Sequence, residues 1–164
     1  MFDHLLVPLD GSELSEAALP LATAVAHKFH SKITLISAVH IPYYIGEGVD
    51  FAELYDNISQ NQEKETKAYL QSKQRTLLEA GFHVDIHLVV SEPPAEAILH
   101  TVDERAIDTI VMSTHGRGGL MRWVFGSVTD QVLRKATVPV LLARVSSRPP
   151  TPEAARVEEV MLVG

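Results

Sequence analysis

Thr109-Ile110-Val111-Met112 followed by Ser113-Thr114-His115-Gly116-Arg117-Gly118-Gly119-Leu120-Met121-Arg122-Trp123-Val124-Phe125-Gly126-Ser127-Val128-Thr129 reads as an apolar strand, a glycine-rich loop and the start of a helix. Ser127 with Asp130 three residues on has the spacing of a capping box, so the helix is expected to begin at Ser127. Such a loop suits an anion: the first amides of a helix lack internal partners, and the helix dipole places partial positive charge there. Arg117 and Arg122 add cationic donors nearby. The loop lacks the Gly-Lys-Ser/Thr ending of a P-loop, and Gly116-Arg117-Gly118-Gly119 is not the dinucleotide fingerprint. On local chemistry alone, a flexible connection whose Ser127 merely caps a helix accounts for the same residues equally well.

Outward from this stretch, short apolar runs alternate with helical periodicities. Leu5-Leu6-Val7-Pro8-Leu9 meets the turn Asp10-Gly11-Ser12, after which Leu14, Ala17, Ala18, Leu21, Val25 and Phe29 keep helical spacing behind Ser12 as N-cap. Ile33 to Val39 is a second strand, and residues 41–48, with one proline and two glycines, break regular structure. From Phe51 to Ala80 strong helix formers predict a long solvated helix with Leu70, Leu77 and Leu78 as its apolar stripe, ended by Gly81. Val84, Ile86, Leu88 and Val90 alternate with Asp85, His87 and Val89, which suggests a strand with one less buried face, an edge. Pro94 opens a further helix with Ile98, Val102 and Ala106 on its buried face. A helix over Ser127 to Ala136 and a strand over Val138 to Val145 complete the pattern. Five strands alternating with four helices define an α/β chain, a parallel sheet covered on both faces.

The 164 residues suffice for one domain with a full core and are too few for two ordinary ones. With 46% hydrophobic and 21% charged residues and no low-complexity tract, the chain is expected to be globular. A formal net charge of -7 argues against a nucleic-acid surface, which needs clustered Lys and Arg, while leaving room for a small anion in a local basic pocket. No apolar run approaches the roughly 20 residues that span a bilayer. Met1-Phe2-Asp3-His4 lacks the regions of a signal peptide, so no membrane association is expected and the expected compartment is the cytoplasm. The absence of cysteine removes disulfides, thiol nucleophiles and thiolate metal sites together.

Gly116, nine intervening residues, then Gly126-Ser127 resembles the G-x2-G-x9-G-[S/T] nucleotide motif of the universal stress protein family. The flanks Val111-Met112 and Thr137-Val138-Pro139-Val140-Leu141-Leu142 are similar to that family too, over residues 1–145 as one domain. Ser113 stands where the motif has its first glycine, and it brings a hydroxyl. The resemblance implies a doubly wound, Rossmann-like sheet of order 3-2-1-4-5 that binds ATP, with Mg2+, ADP or AMP as further possibilities. The ligand would then sit beyond the first and fourth strand ends, where the order switches. It implies base contacts from Pro8 and Asp10, an adenine-pocket backbone at Ala38, and Met112 and Ser113 beside the sugar. His115, Gly116 and Arg117 would lie near the phosphates, cradled by Gly126, Ser127, Val128 and Thr129 at the helix start. It also implies a homodimer through the last strand, Val138 to Val145.

Each of these groups also has a plainer use. Asp10-Gly11-Ser12 is ordinary turn chemistry, Val128 packs in a core, and His115 bonds to loop backbone. His27 and His30 share a helix face without a matching carboxylate, and His83 and His87 lie about 13 Å apart at strand rise, so no protein-held metal is expected. Glu92 and Glu96 simply favour a helix start. With no nucleophile elbow and no P-loop lysine, catalysis reduces to slow ATP hydrolysis at most. The expected function is a nucleotide-responsive stress switch with an unidentified protein partner; a dimeric adaptor without nucleotide and a slow ATP hydrolase are the alternatives. The tail at 146–164 joins a Pro-rich linker to Val160-Met161-Leu162-Val163-Gly164, which looks like the start of a second repeat or an added edge strand.

Overall fold

The computed structural model describes residues 1–40, 50–116 and 126–146; of residues 50–55, 115, 116, 145 and 146 it describes the backbone alone. The loop at 41–48, Arg117, Arg122, Trp123 and the tail from 147 lie outside the described residues. Five parallel strands, β1 (His4–Pro8), β2 (Lys32–Val39), β3 (His83–Val90), β4 (Thr109–Gly116) and β5 (Val140–Ser146), form one sheet of order β3-β2-β1-β4-β5. The helices are α1 (Glu13–Glu16), α2 (Leu19–Phe29), α3 (Asp50–Glu79), α4 (Pro94–Glu104) and α5 (Ser127–Lys135). This is the expected doubly wound α/β order, with β3 at an edge.

Strand alternation sends successive side chains to opposite faces, and the core divides accordingly. Leu5, Val7, Ile33, Leu35 and Val111 pack with Ala22 and Ala26 of α2 and Leu70 and Leu77 of α3. Leu6, Ile36, Ile110 and Met112 pack on the other face with Ile98 and Val102 of α4 and Val132 of α5. Among the described residues, no helix is long and apolar enough to cross a membrane.

Several expected boundaries shift for local reasons. The first helix is two: Pro20 has no amide to donate to Glu16, so the chain closes one turn at α1 and restarts with Pro20 in the first turn of α2. Leu78 is 49% exposed, because Leu70 and Leu77, seven residues apart, define the buried stripe and Leu78 is turned about 100° from it. Ala106 lies beyond α4 at φ 50° and is no part of its buried face. β5 begins at Val140 rather than Val138.

The expected strand before the loop is longer by Ser113 to Gly116, which pair in register with Ala143 to Ser146 of β5. β4 pairs with β1 only at Leu5↔Thr109 and Leu6↔Ile110, whereas β1 stays paired with β2 through Pro8. Beyond Ile110, β4 follows β5 and leaves β1. The two central strands therefore part at their C-terminal ends.

Candidate functional site

The parting of β1 and β4 opens a cavity of about 310 Å³, at the low end of the range for small-molecule sites. Its apolar wall is made by Pro8 and Leu9 from the end of β1, Leu14 from α1, Ile98 from α4, Met112 from β4 and Val128 from α5. Polar groups converge from Asp10, Ser15, Ser113, Thr114, Ser127 and Thr129. Of the residues singled out in the sequence, Pro8, Asp10, Met112, Ser113, Gly126, Ser127, Val128 and Thr129 line this one space. Ala38, half-buried and paired with Val89 near the end of β2, is not among its lining residues. His115 and Gly116 occupy the last two positions of β4, opposite Val145 and Ser146.

One wall is a hydrogen-bonded turn. Asp10 Oδ1 accepts from the Ser12 amide at 3.0 Å and the Ser12 hydroxyl at 2.6 Å. The Asp10 amide donates to Ser15 Oγ at 3.2 Å, and Ser12 Oγ accepts from the Ser15 amide at 3.1 Å, which makes Ser12 the N-cap of α1 as expected. Burial works to raise the Asp10 carboxyl, but the donors from Ser12 and Ser15 hold it below its ordinary value, so it is a carboxylate at neutral pH. Gly11 turns the chain here at φ +83°.

The opposite wall is the start of α5. Gly126, not Ser127, is the N-cap: it is extended at φ -59°, ψ 156°, and its carbonyl accepts the Asp130 amide at 2.9 Å. The expected capping box does not form, since Gly126 has no side chain to cap with and Asp130 instead pairs with Arg134 at 2.9 Å. Ser127 is thereby the first helical residue, and its hydroxyl is free for the cavity. The amides of Ser127, Val128 and Thr129 belong to the first turn and have no partners within the helix.

Two further hydroxyls sharpen the site. Ser113 is 9% exposed and Thr129 8% exposed, and neither hydroxyl finds a hydrogen-bond partner among the described residues. Both residues line the cavity, so a group that entered it could reach these hydroxyls. By strand alternation Ser113 shares the face of Val111, the side of α2 and α3, and Thr114 shares that of Met112, the side of α4 and α5. A Cβ added at Gly126 would meet nothing within 4 Å among the described residues, and its φ suits any residue. Among the described residues nothing in the packing requires glycine there, and its lack of a side chain leaves the helix start open.

Leu14, Ser15, Pro94, Ile98 and Thr114 also line the cavity and were not singled out. Ser15 and Leu14 follow directly from the turn that was. Thr114 follows once β4 is extended past Met112. Pro94 and Ile98 read only as the start and buried face of a helix, for they reach the cavity through the packing of α4 against α5.

Such a sheet, with a cavity at its switch point between a carboxylate-bearing turn and an open helix start, defines a doubly wound α/β protein. The chain belongs to the universal stress protein family, whose model matches residues 1–144. Universal stress protein MJ0531 of Methanocaldococcus jannaschii is 29% identical over 145 residues, 88% of this chain and 83% of that protein. The solved structure of MJ0577 from the same organism superposes with a TM-score of 0.74 at 26% identity, over 90% of this chain and 99% of that one. A universal stress protein solved in complex with cAMP has the same fold, with a TM-score of 0.55 at 23% identity over 88% of this chain and 98% of that one.

Proposed function

We propose that the cavity binds an adenine nucleotide, ATP in the first instance, and that occupancy makes the protein a nucleotide-responsive stress switch. The observation that carries this is the start of α5: unpaired first-turn amides open at Gly126 beside the unpartnered hydroxyls of Ser113 and Thr129. Phosphate oxygens are acceptors that fit such donors, and the helix dipole favours their charge. The apolar wall of Pro8, Leu9, Met112 and Val128 suits a base, and the Asp10 carboxylate suits the donors of a base or sugar. The complex of a family member with cAMP is in keeping with an adenine nucleotide on this fold.

His115, Gly116 and Arg117 follow directly on Thr114 and would meet the phosphates. The described lining offers one carboxylate and several hydroxyls, too few hard ligands for a protein cage, so Mg2+ would be held chiefly by phosphate oxygens and water. In this proposal the protein works as a homodimer joined along β5, an edge of the sheet.

Calorimetric titration of nucleotide-stripped protein with ATP, ADP and AMP, with and without Mg2+, tests this, with Gly126→Val as control. The backbone at Gly126 accepts valine at a cost of about 1 kcal/mol for the poorer N-cap, and the side chain then fills the approach to α5. Binding that is present in the wild type and lost in the folded variant is expected. No heat with any of the three nucleotides would remove the nucleotide site.

A further inference from the structure

The wall of the cavity that carries Asp10 and Ser15 is held by α1, a single turn of four residues, none of them fully buried. Apolar packing contributes little to its placement. Besides lying against β4, α1 is tied to α3 by Glu16, whose two carboxylate oxygens are both engaged there. Oε2 pairs with Lys73 Nζ at 2.6 Å, and Oε1 accepts from the Tyr69 hydroxyl at 3.0 Å. Tyr69 and Lys73 are one turn apart on α3, so they present to one side, and the Lys73 ammonium lies 5.6 Å from the centre of the Tyr69 ring. All of these contacts are part-buried, where charge-assisted hydrogen bonds are stronger than at an open surface.

From Glu16 the ties run on into the cavity wall. Ser15, its neighbour, donates from Oγ to the Ser12 carbonyl at 2.9 Å and accepts the Asp10 amide, while Ser12 holds the Asp10 carboxylate by two bonds. The orientation of Asp10 is thereby fixed by groups whose own position depends on α1. The electrostatics agree with this closeness: burial, then Glu16, then the charge of Asp10 push the Tyr69 phenol well above its ordinary value. The Lys73 ammonium, chiefly through its hydrogen bond, holds the Glu16 carboxyl below its own.

We propose that Tyr69 and Lys73 are positioning residues for the ligand cavity, acting through Glu16 to hold α1 and the Asp10–Ser15 wall in the binding geometry; this rests on the nucleotide reading of the cavity. A wall already ordered before the ligand arrives costs less to order on binding. Because coupling between sites is reciprocal, a ligand that tightens this wall also tightens α1 onto α3, and the long helix then reports occupancy at a distance.

The test uses the full chain as wild type, Glu16→Gln, Tyr69→Phe, Lys73→Met and Lys73→Arg. Amide hydrogen exchange over residues 10–17 is read without ligand, and ATP affinity by calorimetry. Exchange over 10–17 is expected to quicken in Glu16→Gln, Tyr69→Phe and Lys73→Met, with the dissociation constant rising about two- to tenfold, the scale of ordering one or two side chains on binding. Wild-type exchange in Tyr69→Phe would remove Tyr69 from the latch. Lys73→Arg, which keeps the charge, is expected to restore both. Unchanged exchange in Glu16→Gln and Lys73→Met overturns the latch. Quickened exchange with unchanged affinity reduces it to a structural contact and overturns the positioning role. If the wild type binds no nucleotide, the nucleotide reading fails by itself, and exchange over 10–17, which needs no ligand, still decides whether Glu16 holds the wall.

Discussion

Nη2 of Arg105, at the end of α4, lies 2.8 Å from Nδ1 of His87 on β3. A guanidinium only donates, so Nδ1 must accept and the imidazole must be neutral. Nε of the same guanidinium is buried without a hydrogen-bond partner in the described structure, which leaves the Arg105 side chain dependent on the bonds it does make. Burial first, then the Arg105 charge, lowers His87 from its ordinary 6.5, against the opposing charges of Glu104 and Glu92. His4, whose Nε2 lies 2.8 Å from Thr34 Oγ1, is lowered likewise by burial and then by Lys32, against Asp85 and Asp108.

A pH dependence of stability follows. A histidine whose folded pKa is depressed binds fewer protons folded than unfolded, so its contribution is full above about pH 6.5 and is lost as pH falls through the folded value. The melting temperature is therefore expected to fall between pH 7 and pH 5. That precedes the carboxylates: Asp10, Glu16, Asp85 and Asp108, all depressed in the fold, lose their contributions only below about pH 4. His87→Gln keeps an acceptor for Arg105 without titrating. Calorimetry from pH 7.5 to 5 should show a shallower slope in the variant; equal slopes would assign the dependence elsewhere.

Leu6 is fully buried on β1, among Ile36, Ile98, Ile110 and Val132. Leu6→Ala is expected to cost about 2–5 kcal/mol, through lost burial and the cavity left behind. At roughly 2–4 °C per kcal/mol for a chain of this size, the melting point should drop by about 10 °C. Leu78→Ala, at an exposed position on α3, should change stability by less than about 0.5 kcal/mol. Denaturant titrations of both variants, showing similar losses, would contradict this division of the core.

These two leucines also mark what was legible in the sequence. Strand runs and helical spacing carried the element order, because burial on one face of an element writes a period into the chain. Leu78 was misjudged because adjacent leucines satisfy the same composition while only one meets the sheet. The break at Pro20 was a local signal that the apolar spacing on either side concealed. Gly126 and Ser127 pointed toward the cavity through motif, but the motif could not say that Gly126 rather than Ser127 caps α5. The Glu16–Tyr69–Lys73 contacts join residues more than fifty positions apart, and no periodicity encodes them. Pro94 and Ile98 entered the cavity wall for the same reason, by packing between helices.

Ser113 gives a sharper test of the ligand than of the fold. Its hydroxyl makes no bond among the described residues, so Ser113→Ala should leave the melting temperature within about 2 °C of wild type. If the hydroxyl serves a bound nucleotide, the same variant weakens binding about two- to tenfold, the worth of one neutral hydrogen bond. Ser113→Gly, which restores the residue of the family motif, should weaken it similarly. Unchanged affinity in both, measured by calorimetry with ATP, would mean that the hydroxyl meets only water.

The last expectation concerns β5. Among the described residues it is an edge strand whose outer backbone groups have no neighbouring strand, and Val140, Leu141 and Leu142 remain only partly buried against the two core faces. An apolar edge of this kind favours pairing with another strand, and a second copy supplies the same surface to itself about a two-fold axis. The other edge, β3, carries His83, Asp85 and His87 along its length, the kind of side chains that blunt edge pairing. Val140→Lys places a charge on the apolar edge at a half-exposed position, at a modest cost to the fold. Sedimentation velocity at micromolar concentration is expected to give a dimer for the wild type and a monomer for the variant, with far-ultraviolet dichroism unchanged. A wild-type monomer, or a variant that stays dimeric, would move the interface away from β5.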